Sequence, residues 1–191
     1  MFLELFENHV YSKSLFYRKR FRNMGENSKI WYPNRAISKK NISIGNNTQI
    51  LSESRIQCYC QEGWPEPRIE IGDNCYIGYY LSLLAGANII IDDWVLMASN
   101  ILITSETHGT DPESDIQYMD QPLKVAPVHI KSGTWIGEKV CIMPGVTIGK
   151  KCVIGAGSIV TKSIPDYCIA VGNPARVIKK YNFATKQWEK C

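Results

Sequence analysis

The sequence predicts an all-β fold, a parallel β-helix, and three regularities lead to this class. An aliphatic residue recurs at every sixth position, glycine often follows it, and a small or β-branched residue stands four positions after it. Such a period fits a short strand followed by a turn, because strand side chains alternate between two faces and glycine accommodates a corner. A helix of 3.6 residues per turn cannot hold this period. Three hexapeptides would form one triangular coil, and stacked coils would bury a continuous aliphatic column.

The repeat runs through four stretches of the chain and is most regular in the last. The aliphatic positions are Ile44, Ile50, Ile56, Ile71, Ile77, Leu83, Ile91, Met97, Ile103, Ile130, Ile136, Ile142, Ile148, Ile154 and Val160. The second inward positions are Thr48, Ser54, Cys75, Val95, Ile101, Thr134, Val140, Val146, Cys152 and Ser158. Cys75 and Cys152 are therefore predicted to fill the core rather than to react.

Three interruptions break the repeat. The segment from Gln61 to Arg68 contains two prolines and a tryptophan, so we expect it to bulge outward. A two-residue insertion lies between Leu83 and Ile91, and the long loop 105–128 is expected to carry function, as long loops in compact domains usually do. The predicted organisation is an N-terminal cap segment at 1–40, a β-helix domain at 41–177 and a C-terminal tail or short helix at 178–191.

The composition is that of an ordinary globular domain, with 45% hydrophobic and 21% charged residues and a net charge of +4. This charge is weaker than duplex-binding proteins usually carry, so no nucleic acid partner is expected. The opening residues lack the long apolar core of a signal peptide or membrane span, which predicts a cytoplasmic protein with free thiols at its seven cysteines. The aromatic and basic residues of 1–40 leave a peripheral membrane contact open.

The stretch from Trp135 to Tyr181 resembles the acetyltransferases of the hexapeptide-repeat superfamily, and the resemblance covers about residues 41–180. The motifs that carry it are GAGS at 155–158, TK at 161–162, IP at 164–165 and NPAR at 173–176. The chain looks most like the branch of maltose, galactoside, nodulation-factor and capsule or lipopolysaccharide O-acetyltransferases. Its loop also fits, since His-Gly is followed by acidic residues and a QPL element. One departure is Glu106, where those relatives often have a second histidine.

The resemblance implies a left-handed winding, a homotrimer, and transfer of an acetyl group from acetyl-CoA to a hydroxyl of a sugar or glycan, without a metal. His108 would be the general base, which agrees with the pKa of imidazole lying near neutral pH. Glu106 and Trp135 would lie at the acceptor site. Relatives bind the cofactor in a groove between subunits, and by position it would contact Ala156, Gly157, Thr161, Lys162, Arg176 and Lys179.

Alternatives to this function remain open at the sequence level. Spacing alone would allow His108 to be an ordinary loop residue, and the acceptor group could be an amine of an amino sugar. A non-catalytic β-helix scaffold would have no reason to keep both His108 and the GAGS–TK segment. A γ-type carbonic anhydrase needs three histidine ligands for zinc, and only two histidines lie in the repeat region. The spacing of Cys58 and Cys60 does not fit a zinc clip.

Overall fold

The computed structural model describes residues 18–31, 34–60 and 65–191, and most of them form short strands separated by tight corners. The strands are β1 (Asn23–Met24), β2 (Lys29–Ile30), β3 (Asn34–Ile37), β4 (Ile42–Ile44), β5 (Gln49–Ile50), β6 (Ser54–Cys58), β7 (Ile69–Ile71), β8 (Tyr76–Ile77), β9 (Ser82–Ala85), β10 (Ile89–Ile91), β11 (Leu96–Met97), β12 (Leu102–Thr104), β13 (Glu106–Thr107), β14 (Lys124–Val125), β15 (Val128–Ile130), β16 (Trp135–Ile136), β17 (Cys141–Ile142), β18 (Thr147–Ile148), β19 (Val153–Ile154), β20 (Ile159–Val160), β21 (Cys168–Gly172), β22 (Ala175–Asn182) and β23 (Gln187–Lys190).

Three sheets form the sides of a triangular, left-handed parallel β-helix, as predicted. Sheet A has the order β1-β4-β7-β10-β15-β18, and sheet C has the order β3-β6-β9-β12-β17-β20. Sheet B contains β2-β5-β8-β11-β16-β19 followed by β21, β22 and β23. The register pairs Trp135 with Val153 and Cys141 with Ile159, residues that are three hexapeptides apart. One coil therefore consists of three repeats, one for each sheet.

The interior of the triangle is the column that the six-residue period predicts. Every aliphatic repeat position is at most 3% exposed, and every second inward position is at most 2% exposed. Some buried hydroxyls bond to the backbone of a neighbouring coil; Thr134 Oγ1, for example, donates to the carbonyl of Gly149 at 2.7 Å. Burial raises the pKa of the Cys75 and Cys152 thiols, so both remain neutral. The prediction that these two cysteines fill the core is confirmed.

Carboxylates link successive coils at the corner between sheets A and B. Asp73 Oδ1 accepts the N–H of Asn46 at 2.7 Å, and Asp93 Oδ1 accepts the N–H of Asp73 at 2.8 Å. In the C-terminal coils Asp166 Oδ1 accepts the N–H of Lys150 at 2.9 Å. These bonds satisfy amides that point along the helix axis, where a strand end would otherwise leave them unpaired. The acidic residues of the corners are therefore structural.

The β-helix begins earlier than residue 41, so the predicted boundary of the cap segment is wrong for the described part of it. Strands β1, β2 and β3 pair in parallel with β4, β5 and β6 and form a first coil, with Met24 and Ile30 buried inside. Met24 followed by Gly25 is a weaker version of the repeat signature, since methionine replaces isoleucine. The cap prediction for residues 1–17 and the bulge prediction for residues 61–64 lie outside the described residues.

The C-terminal segment is a β-hairpin, and the predicted short helix is wrong. Strand β22 pairs antiparallel with β21, and β23 pairs antiparallel with β22. Along β22, half-buried Val177, Lys179 and Tyr181 alternate with exposed residues, which is the period of a strand. Asn182 Oδ1 accepts the N–H of Ala184 at 2.9 Å, a side-chain bond typical of a turn. The run of helix-compatible lysines concealed this alternation in the sequence.

Candidate active site

The long loop leaves the β-helix at the corner between sheets C and A and has a stem that the sequence did not predict. Strands β13 and β14 pair antiparallel, joining Glu106 to Val125 and Thr107 to Lys124. At the base, Ser105 is fully buried, and its Oγ donates to the carbonyl of Ala87 at 2.7 Å and accepts the N–H of Ala87 at 3.0 Å. The stem returns the chain to the corner, where β15 resumes sheet A.

His108 follows the stem directly and is exposed to solvent. Its neighbour Gly109 packs against Gln121, where a Cβ atom at Gly109 would lie 2.6 Å from Gln121 Oε1. Gln121 is 6% exposed; its Nε2 donates to the carbonyls of Asp111 and Ile116, and its Oε1 accepts the N–H of Asp111 at 3.0 Å. Gln121 therefore holds the loop beside His108, a role that no sequence signal beyond the QPL element indicated.

Glu106 lies beside His108 in a partly desolvated position. Burial raises the pKa of the Glu106 carboxyl, and the nearby charges of His108 and Arg55 oppose this rise without cancelling it. Its Oε2 atom is buried, and no hydrogen-bond partner for it exists among the described residues. The carboxyl fits there because Gly86 has no side chain, since a Cβ atom at Gly86 would lie 3.0 Å from Oε2. Glu106 and His108 lie two residues apart at the end of the stem, close enough for the charge of His108 to act on the Glu106 carboxyl.

The outer surface of sheet C connects this loop with most of the predicted cofactor residues. Half-buried Leu102, Cys141 and Ile159 stack on neighbouring strands and cover about 10 Å along the axis at the usual strand spacing. Four of the predicted cofactor residues border β20, the last strand of the sheet: Ala156 and Gly157 precede it, and Thr161 and Lys162 follow it. The outer surface of sheet C is therefore a path from the last coil to the loop that bears His108.

Arg176 lies next to the same end of sheet C. Val171 stacks directly on Gly155, because a Cβ atom at Gly155 would lie 2.6 Å from Val171 Cγ1. Val171 in turn pairs with Arg176 across β21 and β22, which places Arg176 close to the corner that precedes the last strand of sheet C. No heavy atom lies within 4 Å of where a Cβ atom of Gly157 would stand, so its backbone is open to a ligand. Within the part of the chain that the structure describes, neither Lys162 nor Arg176 forms a salt bridge.

Trp135 and Lys179 lie on a different side of the triangle. Trp135 belongs to β16 of sheet B and is 51% exposed, as expected for an outward position. Lys179 pairs with Ile169 further along the same sheet. The chain therefore does not bring Trp135 onto the sheet that leads to His108. Lys179 lies on the same strand of sheet B as Arg176, and not beside the last strand of sheet C where the other four predicted cofactor residues lie.

The described residues contain no group of three or more side chains arranged to hold a metal ion. His129, the other histidine of the repeat region, bonds through Nε2 to Asp92 Oδ1 at 2.8 Å on sheet A. No helix in the described ranges is long and apolar enough to cross a membrane.

Comparison with known proteins agrees with this geometry. Residues 127–162 match the family model described as bacterial transferase hexapeptide (six repeats). The chain is 37% identical over 136 residues to galactoside O-acetyltransferase of Escherichia coli (strain K12), covering 67% of this chain and 66% of that protein. The chain spans between 56% and 66% of the length of the first curated relatives that it matches.

Two solved structures extend the comparison to nearly the whole chain. A point mutant of AntD, an N-acyltransferase from Bacillus cereus, in complex with dTDP and coenzyme A has a TM-score of 0.77 with 26% identity and covers 90% of each chain. A maltose O-acetyltransferase from Clostridium difficile 630 has a TM-score of 0.57 with 32% identity, covering 85% of this chain and 71% of that one. With the repeat, the coils and these relatives in agreement, the chain belongs to the hexapeptide-repeat acetyltransferases.

Proposed function

We propose that the chain transfers an acetyl group from acetyl-CoA to a hydroxyl of a sugar or glycan intermediate, with His108 as the general base. The observation that carries the proposal is the path on sheet C, which has the predicted cofactor residues at one end and the His108 loop at the other. Similarity to galactoside and maltose O-acetyltransferases supports a sugar hydroxyl as the acceptor. A polysaccharide precursor and a cytoplasmic location are further parts of this proposal.

The chemistry assigned to His108 follows from its exposure and its neighbour. An alcohol is a poor nucleophile until its proton is being removed, and a neutral imidazole can accept that proton near pH 7. His108 would take the proton from the acceptor hydroxyl as its oxygen attacks the acyl carbon, and would return the proton to the departing thiolate. Acetyl-CoA supplies the acyl group as a thioester. Glu106 would face the acceptor and restrict which sugar can approach the imidazole.

The residues at the end of sheet C are suited to a phosphate-bearing cofactor. The open side of Gly157 would let a chain-like ligand pass close to the backbone, with Ala156 and Thr161 on either side of the last strand. Lys162 and Arg176 present persistent positive charge to phosphate oxygens. We expect charge reversal at Lys162 or Arg176 to raise KM for acetyl-CoA more than it lowers kcat, because the phosphates do not change charge during acyl transfer. An unchanged KM in steady-state kinetics of both variants would remove these residues from the cofactor site.

The complete site would need a second subunit. Trp135 and Lys179 lie on sheet B, whereas the path to His108 runs over sheet C. A homotrimer that packs sheet B of one chain near the loop of another would bring both sides together. The homotrimer is therefore part of the proposal, because in a trimer residues from sheet B of one chain and from sheet C of another could form one site.

Transfer to an amine is the second candidate, and the similarity to AntD favours it. That N-acyltransferase matches this chain over 90% of its length, more than the O-acetyltransferases do. The decisive experiment incubates the chain and acetyl-CoA with a galactoside, maltose and a matched amino sugar, and measures kcat/KM by mass spectrometry of the acceptor. We expect the hydroxyl acceptors to be acetylated. Acetylation of the amino sugar alone would replace the O-acetyl proposal, and no transfer to any acceptor would contradict both.

A further inference from the structure

The C-terminal hairpin carries an open pocket that plays no part in the proposed acetyl transfer. Its volume is about 500 Å³, and six side chains line it: Lys151, Tyr167, Tyr181, Phe183, Lys186 and Trp188. The pocket lies where β22 and β23 extend sheet B, beside the corner between sheets A and B. The loop with His108 leaves from a different corner, between sheets C and A.

Four aromatic rings form the walls of this hairpin pocket and meet edge to face. The ring centroids of Tyr167 and Phe183 are 4.8 Å apart, those of Tyr181 and Phe183 are 5.1 Å apart, and those of Tyr181 and Trp188 are 5.3 Å apart, with interplanar angles between 71° and 89°. The Tyr181–Trp188 pair is explained by cross-strand stabilisation of the hairpin. Phe183 lies beyond the last pair of the hairpin and is 64% exposed, so the hairpin register does not account for it.

Positive charge surrounds these rings. Lys151 and Lys186 line the pocket, and Lys190 lies on the same side of the hairpin as Trp188, two residues further along β23. None of these three lysines forms a salt bridge with another described residue. A surface with three such lysines attracts anions.

Two carboxylates that are close in sequence to the pocket residues are engaged elsewhere. Glu189 pairs with Lys180 and therefore points to the other side of the hairpin, where it accepts bonds from Asn182 and Thr185. Asp166 accepts the N–H of Lys150 and lies 3.9 Å from Lys131. Among the described residues, neither of these carboxylates therefore neutralises the lysines of the hairpin pocket.

We propose that the hairpin pocket binds a sugar unit that carries a negative charge, such as a uronic acid or a phosphorylated sugar of a glycan. The apolar face of the pyranose ring would pack on Phe183 and Tyr181, and its carboxylate or phosphate would pair with Lys151 and Lys186. Rings that meet nearly at right angles form a concave corner, which suits a puckered ring; a flat base would be held better between parallel faces. This site is distinct from the His108 loop and is independent of the proposed acetyl transfer.

The test is isothermal titration calorimetry of the full chain with a glucuronate-containing oligosaccharide, a neutral glucose oligosaccharide of equal length, and ADP. We expect the glucuronate ligand to bind at least about tenfold more tightly than the neutral one, and Phe183→Ala or Lys186→Ala to weaken it by about tenfold each. The matched controls are Tyr80→Ala and Lys139→Ala. Tyr80 is another exposed aromatic residue, and Lys139 has the same positive φ as Lys186. Thermal melting confirms that each variant is folded, which is expected because Phe183 and Lys186 are exposed.

Three results would overturn the proposal. The first is equal affinity for the charged and neutral oligosaccharides, or no binding of either. The second is a glucuronate affinity unchanged in both hairpin variants, which would place the site elsewhere. The third is ADP binding that is lost in Phe183→Ala while glucuronate does not bind, which would assign the hairpin pocket to a nucleotide. Acetyltransferase activity is not measured in any arm, so failure here leaves the proposed function untouched.

Discussion

At the scale of single residues, His108 provides the sharpest test of the catalytic proposal. Its side chain is exposed on a loop outside the repeat, so His108→Ala should leave folding and CoA binding close to wild type. Acetyl transfer should fall by roughly 10² to 10⁴, the usual loss of a general base. His129→Ala is the matched control, because that imidazole pairs with Asp92 on sheet A. Wild-type turnover of His108→Ala with a verified acceptor would show that His108 is structural.

Glu106 should make stability depend on pH in a specific direction. Burial raises its pKa in the folded chain, so the folded state favours the neutral carboxyl more than the unfolded state does. Its stabilising effect is therefore fully present below the unfolded pKa of about 4.3 and is lost as pH rises through the folded pKa. Glu106→Gln should raise Tm relative to wild type at pH 8, and the difference should shrink toward pH 4. A difference in Tm that stays constant with pH would show that ionisation of Glu106 is not its cause.

The sequence predicted which residues form the core but not the contacts that support the candidate site. His108 and Glu106 are two positions apart in the chain, so their proximity was implicit in the sequence. Gln121 binds the loop backbone at Asp111, and the charge of Arg55 lowers the pKa of Glu106; only the folded loop and the stacked coils bring these distant residues to the site. Contacts between residues so far apart in the chain produce no periodic pattern or fixed spacing, so a single sequence does not reveal them.

At the scale of the coil, glycine serves two separate purposes that mutagenesis can distinguish. A Cβ atom at Gly137 would lie 2.7 Å from the amide nitrogen of Ala156, so Gly137→Ala must displace backbone at a cost of roughly 1–3 kcal/mol. Gly157 has open space but a φ of +71°, so Gly157→Ala should cost only about 1 kcal/mol. Thermal melting should show the larger loss of Tm for Gly137→Ala, at about 2–4 °C per kcal/mol. Equal losses in the two variants would contradict the larger cost assigned to close approach of the backbone at Gly137.

The elements that were mispredicted lie at the two ends of the β-helix. The first coil has Met24 and Ala36 where later coils have isoleucine, leucine or valine. The signal that reveals this coil is Met24–Gly25 with Ile30 six residues on. The C-terminal hairpin has no repeat at all, because its strands extend sheet B by antiparallel pairing instead of winding another coil. The middle coils were predictable because each must present the same kind of inward residue to a coil on both sides. The coils at the two ends have a neighbour on one side only, so their sequences are less regular.

At the scale of the whole molecule, an apolar column on sheet B favours association. Tyr76, Leu96 and Trp135 stack on adjacent strands and are 46%, 45% and 51% exposed. Contiguous exposed apolar surface of this kind marks interaction sites. We expect sedimentation velocity at micromolar concentration to show a trimer for the wild type and dissociation for Leu96→Glu, with Ile178→Glu, 40% exposed on the hairpin, as control. A monodisperse wild-type monomer would contradict the shared site.

The antiparallel stem of the long loop makes the structure of the β-helix independent of the length of that loop. Because β13 and β14 close the excursion at the corner, the pairing of Val128 with Ile89 on the next strand is independent of how many residues lie between Thr107 and Lys124. Loop closure entropy changes slowly with length, so a longer or shorter insert would cost little stability. The scaffold can therefore accept grafted loops from other family members without losing its coil register, which would let acceptor choice evolve while the interior stays constant.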